Sequence, residues 1–337
     1  MKTGFASIGA GLFGTWHAMA YGRHPLVDFR AVCDLDGERA KTVAETHGAA
    51  YHTTSLDDIL NDDTITAVSV ATPDHAHRDV AVACAKAGKH LLVEKPLATT
   101  VADAEAIVQA AEENGVLLMT DFHNRANPPM VAARNAIQNG QIGTPSYVYA
   151  RLSNTVAVPQ DMLKWSGHSS AMWFLGSHMV DVVSWMIGDE PESVYVVSRK
   201  GILNGMGIDA PDFHVATVEY KNGAVGVFEH AWILPRTYNT VKDLKLEILG
   251  SEGAVNIDGS HNRMMELYTP EKGAFQDMVV PPFGPHLTGF VLDAVAHFIE
   301  SVVNDKPLLA DGRDGLNNTR IISAMLDAAD KGIRIKL

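Results

Sequence analysis

Phe5-Ala6-Ser7-Ile8-Gly9-Ala10-Gly11-Leu12-Phe13-Gly14 is an apolar run that ends in three glycines spaced G-x-G-x-x-G, and an Ala-containing helical stretch follows at once. The tight strand-to-helix turn needs the first glycine, a side chain at the second would collide with a pyrophosphate, and the third lets helix and strand approach closely. Backbone amides at the helix start then face the phosphate. Asp34 stands twenty residues past Gly14, after a second apolar run, where a carboxylate accepts hydrogen bonds from the ribose hydroxyls of a dinucleotide. It repels a 2′-phosphate, and neither Leu35 nor Asp36 supplies a cation, so the pattern reads as NAD in preference to NADP. Arg39, from the next helix, is the residue able to reach such a phosphate. Gly9, Gly11, Leu12, Phe13, Gly14 and Asp34 are the first cofactor candidates, and a glycine turn that serves packing alone is the competing reading.

Outward from this loop, residues 5–8, 29–33, 67–71, 90–93 and 116–120 read as buried strands, with helices expected over 13–22, 38–47, 55–60, 77–87 and 101–113. Nearly continuous apolar strands alternating with helices indicate a parallel sheet covered on both faces, here a doubly wound Rossmann domain over residues 1–121. After Asp121 the pattern changes. Strand candidates at 147–152, 194–199, 215–220, 224–232, 244–250, 254–257 and 264–268 follow one another with short connections, Asn222-Gly223 being the clearest turn. Helices are expected at 174–186, 287–303 and 316–329. The second domain, residues 122–337, is therefore α+β with a large, mainly antiparallel sheet, and the whole chain is of the α/β class.

A chain of 337 residues with 46% hydrophobic and 20% charged residues is globular and long enough for about two domains. Its 27 basic against 40 acidic residues give a net charge of −13, and no Lys/Arg block stands out, so neither nucleic acid nor an anionic membrane is expected as a partner. Cys33 and Cys84 lie 51 positions apart in apolar runs, which is neither a disulfide framework nor a zinc spacing. The most membrane-like stretch, residues 171–188, contains His178 and Asp181, and an Asp at a helix centre costs about 2.5–3.5 kcal/mol on insertion. A buried helix in a cytoplasmic protein is the expectation, and the lone Lys2 does not make an export signal.

Thr72-Pro73-Asp74 and Glu94-Lys95-Pro96 each end a strand candidate. Ligands of open α/β sheets bind outside the carboxyl ends of the strands, so both tripeptides should lie beside the cofactor. Thr72, Pro73, Glu94 and Lys95 join the cofactor candidates; for Lys95 the alternative is a solvated surface lysine. His75 and His77 are two apart and share no helix face, so no metal site is expected, and His77 is read as opening the next helix beside the cofactor. Asn124 and Arg125 follow the fifth strand and could approach nicotinamide or substrate, or form an interdomain hinge.

In the second domain, Phe174, His178, Asp181 and Trp185 are spaced 4, 3 and 4, one stripe on a helix. His178 is either a satisfied core histidine or the group that takes a hydroxyl proton, since imidazole titrates near neutral pH. Asp181 could orient it or serve structure alone. Lys164, Trp165 and His168 lie in the preceding loop, where aromatic and polar groups suit a sugar; a solvated loop is the alternative.

Thr72-Pro73-Asp74-His75-Ala76-His77, Ala87-Gly88-Lys89-His90 and Glu94-Lys95-Pro96, together with the glycine loop, resemble the glucose-fructose oxidoreductase / inositol dehydrogenase (Gfo/Idh/MocA) family. Gly250-Ser251-Glu252-Gly253 and Asp311-Gly312-Arg313-Asp314-Gly315 extend the resemblance through the chain. It implies a nicotinamide-dependent dehydrogenase or reductase acting on a sugar or polyol, with Lys95 near the reacting hydroxyl and the nicotinamide. It also implies a homodimer or homotetramer. On this reading Lys95 and His178 are catalytic, and Asn124, Trp165, His168 and Asp181 contact substrate. In many relatives an Asp stands four residues before the histidine; here that position is Phe174, so a sugar sensor that binds nucleotide without turnover is the rival reading.

Overall fold

The structure, a computed structural model, describes residues 2–238, 240–260 and 289–337 and the backbone of two short strands between the last two segments. The first elements are β1 (Thr3–Ile8), α1 (Leu12–Arg23), β2 (Val27–Cys33), α2 (Gly37–His47), β3 (Tyr51–Thr53), α3 (Leu56–Leu60), β4 (Ala67–Val70), α4 (His77–Lys86), β5 (His90–Glu94), α5 (Val101–Glu113) and β6 (Leu118–Asp121). Then come α6 (Pro128–Gln138), β7 (Pro145–Asn154), α7 (Ser177–Ile187), β8 (Pro191–Arg199), α8 (Ile202–Gly205), β9 (Phe213–Tyr220), β10 (Val225–Ala231), β11 (Lys242–Gly250) and β12 (Ala254–Asp258). The chain continues with β13 (Glu266–Tyr268), β14 (Gly273–Phe275), α9 (Phe290–Asn304), α10 (Gly312–Lys331) and β15 (Ile335–Lys336). Two compact units result: Met1–Ala126 with Pro282–Thr319, and Asn127–Pro281 with Arg320–Leu337. The expected strand residues 264–265 and helix residues 287–288 lie outside the described residues.

In the first unit six strands pair in parallel in the order β3-β2-β1-β4-β5-β6. The doubly wound sheet expected from the apolar runs is therefore present, and its strand order reverses between β1 and β4, the switch point outside whose carboxyl ends such sheets bind their ligands. Burial on both faces explains why these strands read as continuous apolar segments: all four residues of β4 are buried. The edge strand β3, Tyr51-His52-Thr53, is partly exposed and carries no apolar run, so nothing in its composition marks it. Helix boundaries follow local chemistry. Asp36 caps α2 by accepting from the Arg39 amide, and Gly48 ends it in the left-handed region with φ 78°. Far along the chain α9 brings Phe298 edge-on to Phe5, ring centroids 6.2 Å apart.

The second unit is built on a seven-stranded sheet ordered β12-β11-β7-β10-β9-β8-β15, in which β7 and β10 run parallel and every other pair is antiparallel. Alternation sets the faces: on β9 His214, Ala216, Val218 and Tyr220 are buried while Val215 is exposed. The buried face carries the core with Val180, Val183 and Met186 of α7 and Met130 and Ile137 of α6.

One helix departs from expectation. Met172–Gly176 forms a π-helical stretch, and the α-helix starts only at Ser177. Ser170 Oγ accepts from the Trp173 amide at 3.2 Å and Ser177 Oγ donates to the Trp173 carbonyl at 2.7 Å, which gives the wide turn its own hydrogen bonds. The four-residue step from Phe174 to His178 therefore crosses a change of helical pitch, while His178, Asp181 and Trp185 share one α-helix. Among the described residues no helix is long and apolar enough to cross a membrane.

Candidate functional site

At the carboxyl end of β1 the three glycines are required for different reasons. Gly9 has φ 94°, and a Cβ there would lie 2.5 Å from the Ala71 carbonyl oxygen. A Cβ on Gly14 would lie 1.9 Å from the Gly9 carbonyl oxygen. At Gly11 an added Cβ meets nothing within 4 Å. The protein's own backbone demands the first and third glycines. The second keeps space clear in front of the first turn of α1, whose amides have no acceptor within the helix. Thr72, after β4, adds a buried hydroxyl with no hydrogen-bond partner among the described residues, which a bound polar group would satisfy. The loop therefore fits the pyrophosphate of a dinucleotide.

Asp34 is fastened to this loop. Its Oδ2 accepts from the Ala10 amide at 2.7 Å, and Oδ1 accepts from the Asp36 amide at 2.9 Å and from Arg39 Nη2 at 2.7 Å. Burial works against its charge, but the bonds from Arg39, Asp36 and Ala10 outweigh burial and hold the carboxyl below the usual carboxylate range. Arg39 thus lies at the same carboxylate that the sequence marks as the ribose-binding candidate.

Lys95 is buried. Its ammonium lies 5.9 Å from the centroid of the Phe13 ring in the first turn of α1, at the glycine-loop end of the sheet. Burial pushes this lysine below its usual range, while Glu94, Asp74 and Asp121 act in the opposite direction. His77 holds the two strand-end loops together, with Nδ1 3.0 Å from the Pro96 carbonyl and Nε2 3.0 Å from the Thr72 carbonyl. Both ring nitrogens are engaged with backbone, so His77 fixes these two loops to each other.

Glu94, expected beside the cofactor, turns its carboxylate inward. Oε1 lies 3.2 Å from His17 Nε2, and the same nitrogen is 3.3 Å from Asp121 Oδ2. The donor atoms of these three buried side chains lie within 4.8 Å of one another. Burial opposes a charged His17, but the carboxylates of Asp121 and Glu94, 3.3 and 3.2 Å away, outweigh it and raise the imidazole to about 9. Burial, with Glu94 beside it, raises Asp121 to about 6, and His17 keeps Glu94 below its ordinary range against burial. Sequence reasoning missed His17 and Asp121. The available signal was that Glu94 and Asp121 both end adjacent apolar strands, where they prove to be register partners.

Asn124 is buried on the short helical turn His123–Ala126 after β6. Its neighbour Arg125 donates Nη1 to the Leu309 carbonyl at 2.9 Å and to Asp314 Oδ2 at 3.1 Å, a structural clamp. In the second unit His178 and Asp181 are buried on α7. Trp165 meets Phe174 with ring centroids 6.2 Å apart, and Phe174 meets Trp232 at 6.0 Å, so an aromatic cluster stands where the family resemblance led one to expect an Asp. Trp232, which sequence reasoning did not single out, follows β10 and is wholly buried. Lys164 and His168 are exposed in the loop that precedes this cluster.

Two family models match the chain. Residues 3–122 match an oxidoreductase family described as having an NAD-binding Rossmann fold, and residues 134–337 match its C-terminal alpha/beta domain. Myo-inositol 2-dehydrogenase of Thermotoga maritima is 26% identical over 91% of this chain and 90% of its own. Scyllo-inositol 2-dehydrogenase (NAD(+)) of Bacillus subtilis is 26% identical over 98% of this chain and 95% of its own. Among solved structures, GenD2 from gentamicin A biosynthesis in complex with NAD superposes with a TM-score of 0.86 at 26% identity, covering 100% of this chain and 96% of that one. The glycine loop, the Thr-Pro-Asp and Glu-Lys-Pro strand ends and both domain matches agree: the chain belongs to the Gfo/Idh/MocA family of oxidoreductases.

Proposed function

We propose that the protein is an NAD-dependent dehydrogenase of a secondary alcohol on a sugar, polyol or cyclitol, or the corresponding ketone reductase. The observation that carries this reading is a buried lysine whose ammonium lies 5.9 Å from Phe13, at the head of the glycine-loop helix. Gly9, Gly11, Leu12, Phe13, Gly14, Asp34, Thr72 and Pro73 hold the cofactor, with NAD preferred because Asp34 presents an ionised carboxylate. A bound nicotinamide supplies the hydride acceptor or donor. Lys95 stabilises alkoxide charge as it develops, and His178 accepts the hydroxyl proton in oxidation and returns it in reduction. Asn124, Trp165, His168 and Asp181 contact the substrate. The substrate class follows the names of relatives that act on inositols.

In functional terms residues 1–121 carry the nucleotide and residues 122–337 the substrate. The open face of the second sheet, with Tyr147, Tyr195, Val215 and Val225 exposed, joins subunits into a homodimer or homotetramer in the cytoplasm. Mixing the protein and NAD with a panel of polyols and sugars, and following formation of reduced nicotinamide, tests the activity. Lys95→Ala should lower kcat by about 10²–10³-fold, the scale of one charge-stabilising donor, with NAD affinity nearly unchanged. Equal loss of both would move Lys95 from chemistry to cofactor binding. Phe174 favours a second reading, a sugar sensor: nucleotide would bind, and no polyol would change the absorbance.

A further inference from the structure

Behind Lys95 lies a cluster for which hydride transfer has no direct use. Glu94 and Asp121 are register partners on β5 and β6, and His17 comes from α1 to within 3.2 and 3.3 Å of their carboxylates. Glu94 is also tied to the lysine through the backbone, Oε2 accepting the Lys95 amide at 3.2 Å. Burying such charges costs several kcal/mol per ion, and apolar replacements of buried ion pairs are often neutral or stabilising. Stability is therefore a poor reason for the cluster, and its effect on a neighbouring charge is a better one.

Among the described residues, the groups that act on Lys95 include Glu94 on its own strand, Asp74 after β4, Asp121 at the end of β6 and the Phe13 ring on α1. His17 and His123 face Glu94 in turn. With one cation against two carboxylates, the triad carries one net negative charge. We propose that His17, Glu94 and Asp121 are positioning residues that hold one unit of negative charge behind Lys95 and so keep its proton on. His17 lets the two carboxylates stand together; without a cation beside them, neighbouring buried carboxylates share a proton. The catalytic consequence rests on the function proposed above, but the protonation of Lys95 can be read without it.

The experiment is an NMR titration of the full chain labelled at lysine Cε and histidine Cε1, with Lys95 assigned from the spectrum of Lys95→Arg and His17 from His17→Gln. In the wild type His17 should stay cationic to about pH 9. A neutral His17 at pH 7 overturns the proposal without any variant having to fold. Asp121→Asn and Glu94→Gln should each lower the Lys95 midpoint by about one pH unit, as expected for removing a unit charge several ångströms away at an effective dielectric near 20. Asp121→Glu, which keeps the charge, should leave the midpoint in place. Folded Asn and Gln variants with the wild-type Lys95 midpoint also overturn the proposal. If the midpoint moves while the pH limb of kcat/KM does not, the positioning role stands and the assignment of Lys95 to catalysis fails.

Discussion

The carboxylate of Asp34 and the backbone amide of Ala10 lie 2.7 Å apart, so the acid at the end of β2 is fastened to the middle of the glycine loop. The same carboxylate holds Arg39 at 2.7 Å. Asp34→Ala should release Arg39 and remove the acceptor for a ribose hydroxyl. NADH affinity is expected to fall roughly tenfold or more, about 1.4 kcal/mol, while NADPH affinity falls less or rises. Parallel fluorescence titrations with the two reduced cofactors measure the ratio, and an unchanged ratio would remove Asp34 from cofactor selection.

Gly11 and Gly14 separate a ligand's requirement from the protein's own. A methyl on Gly14 meets a carbonyl at 1.9 Å, so Gly14→Ala should cost about 1–3 kcal/mol of stability, the range of overpacking. Gly11→Ala meets nothing within 4 Å and should stay within about 1 kcal/mol of the wild type, yet lose nucleotide affinity. Urea unfolding together with NADH titration checks both. Normal NADH binding by Gly11→Ala would mean that no pyrophosphate approaches that amide.

His214 and His230 face each other across β9 and β10 in the buried core, and His230 Nδ1 lies 3.1 Å from the Leu152 carbonyl. Burial lowers His214 to about 3, with His230 adding to the effect, and lowers His230 to about 4. Both folded-state values lie below the unfolded value near 6.5, so the unfolded chain takes up protons first as pH falls. Stability is whole above about 6.5 and drops from there towards the folded-state values. Between pH 7 and 5 each ring should cost about 2 kcal/mol. His214→Phe should shrink the acid-induced drop in urea-unfolding free energy, and an equal drop in variant and wild type would show that the ring titrates alike in the folded and unfolded chain.

Phe174 lies between Trp165 and Trp232, in contact with both rings. If this cluster offers its aromatic surface to the sugar, Phe174→Ala should raise KM by roughly 3- to 10-fold, the worth of one aromatic contact, with NAD affinity unchanged. Steady-state kinetics on the best polyol found, alongside an NADH titration, decides it. An unchanged KM would make the cluster purely a packing feature.

What the amino-acid order alone determined is the part of the molecule governed by local rules. Strands buried on both faces must be apolar throughout, and a strand-to-helix turn over a phosphate needs glycine at fixed spacing, so the sheet around Gly9, Gly11 and Gly14 was legible, as was the placing of Lys95 at a strand end. Tertiary structure decided what polar side chains do once buried. His17 meets Glu94 and Asp121 only because β5 pairs with β6 and α1 packs over their ends. His77 bridges the Thr72 and Pro96 carbonyls because α4 starts between two strand-end loops. The π-helical stretch at Met172–Gly176, where Ser170 and Ser177 both bond the Trp173 backbone, is a departure that an α-helical period does not encode. The partner of a buried charge is set by pairing between distant segments, and no periodicity along the chain carries that information.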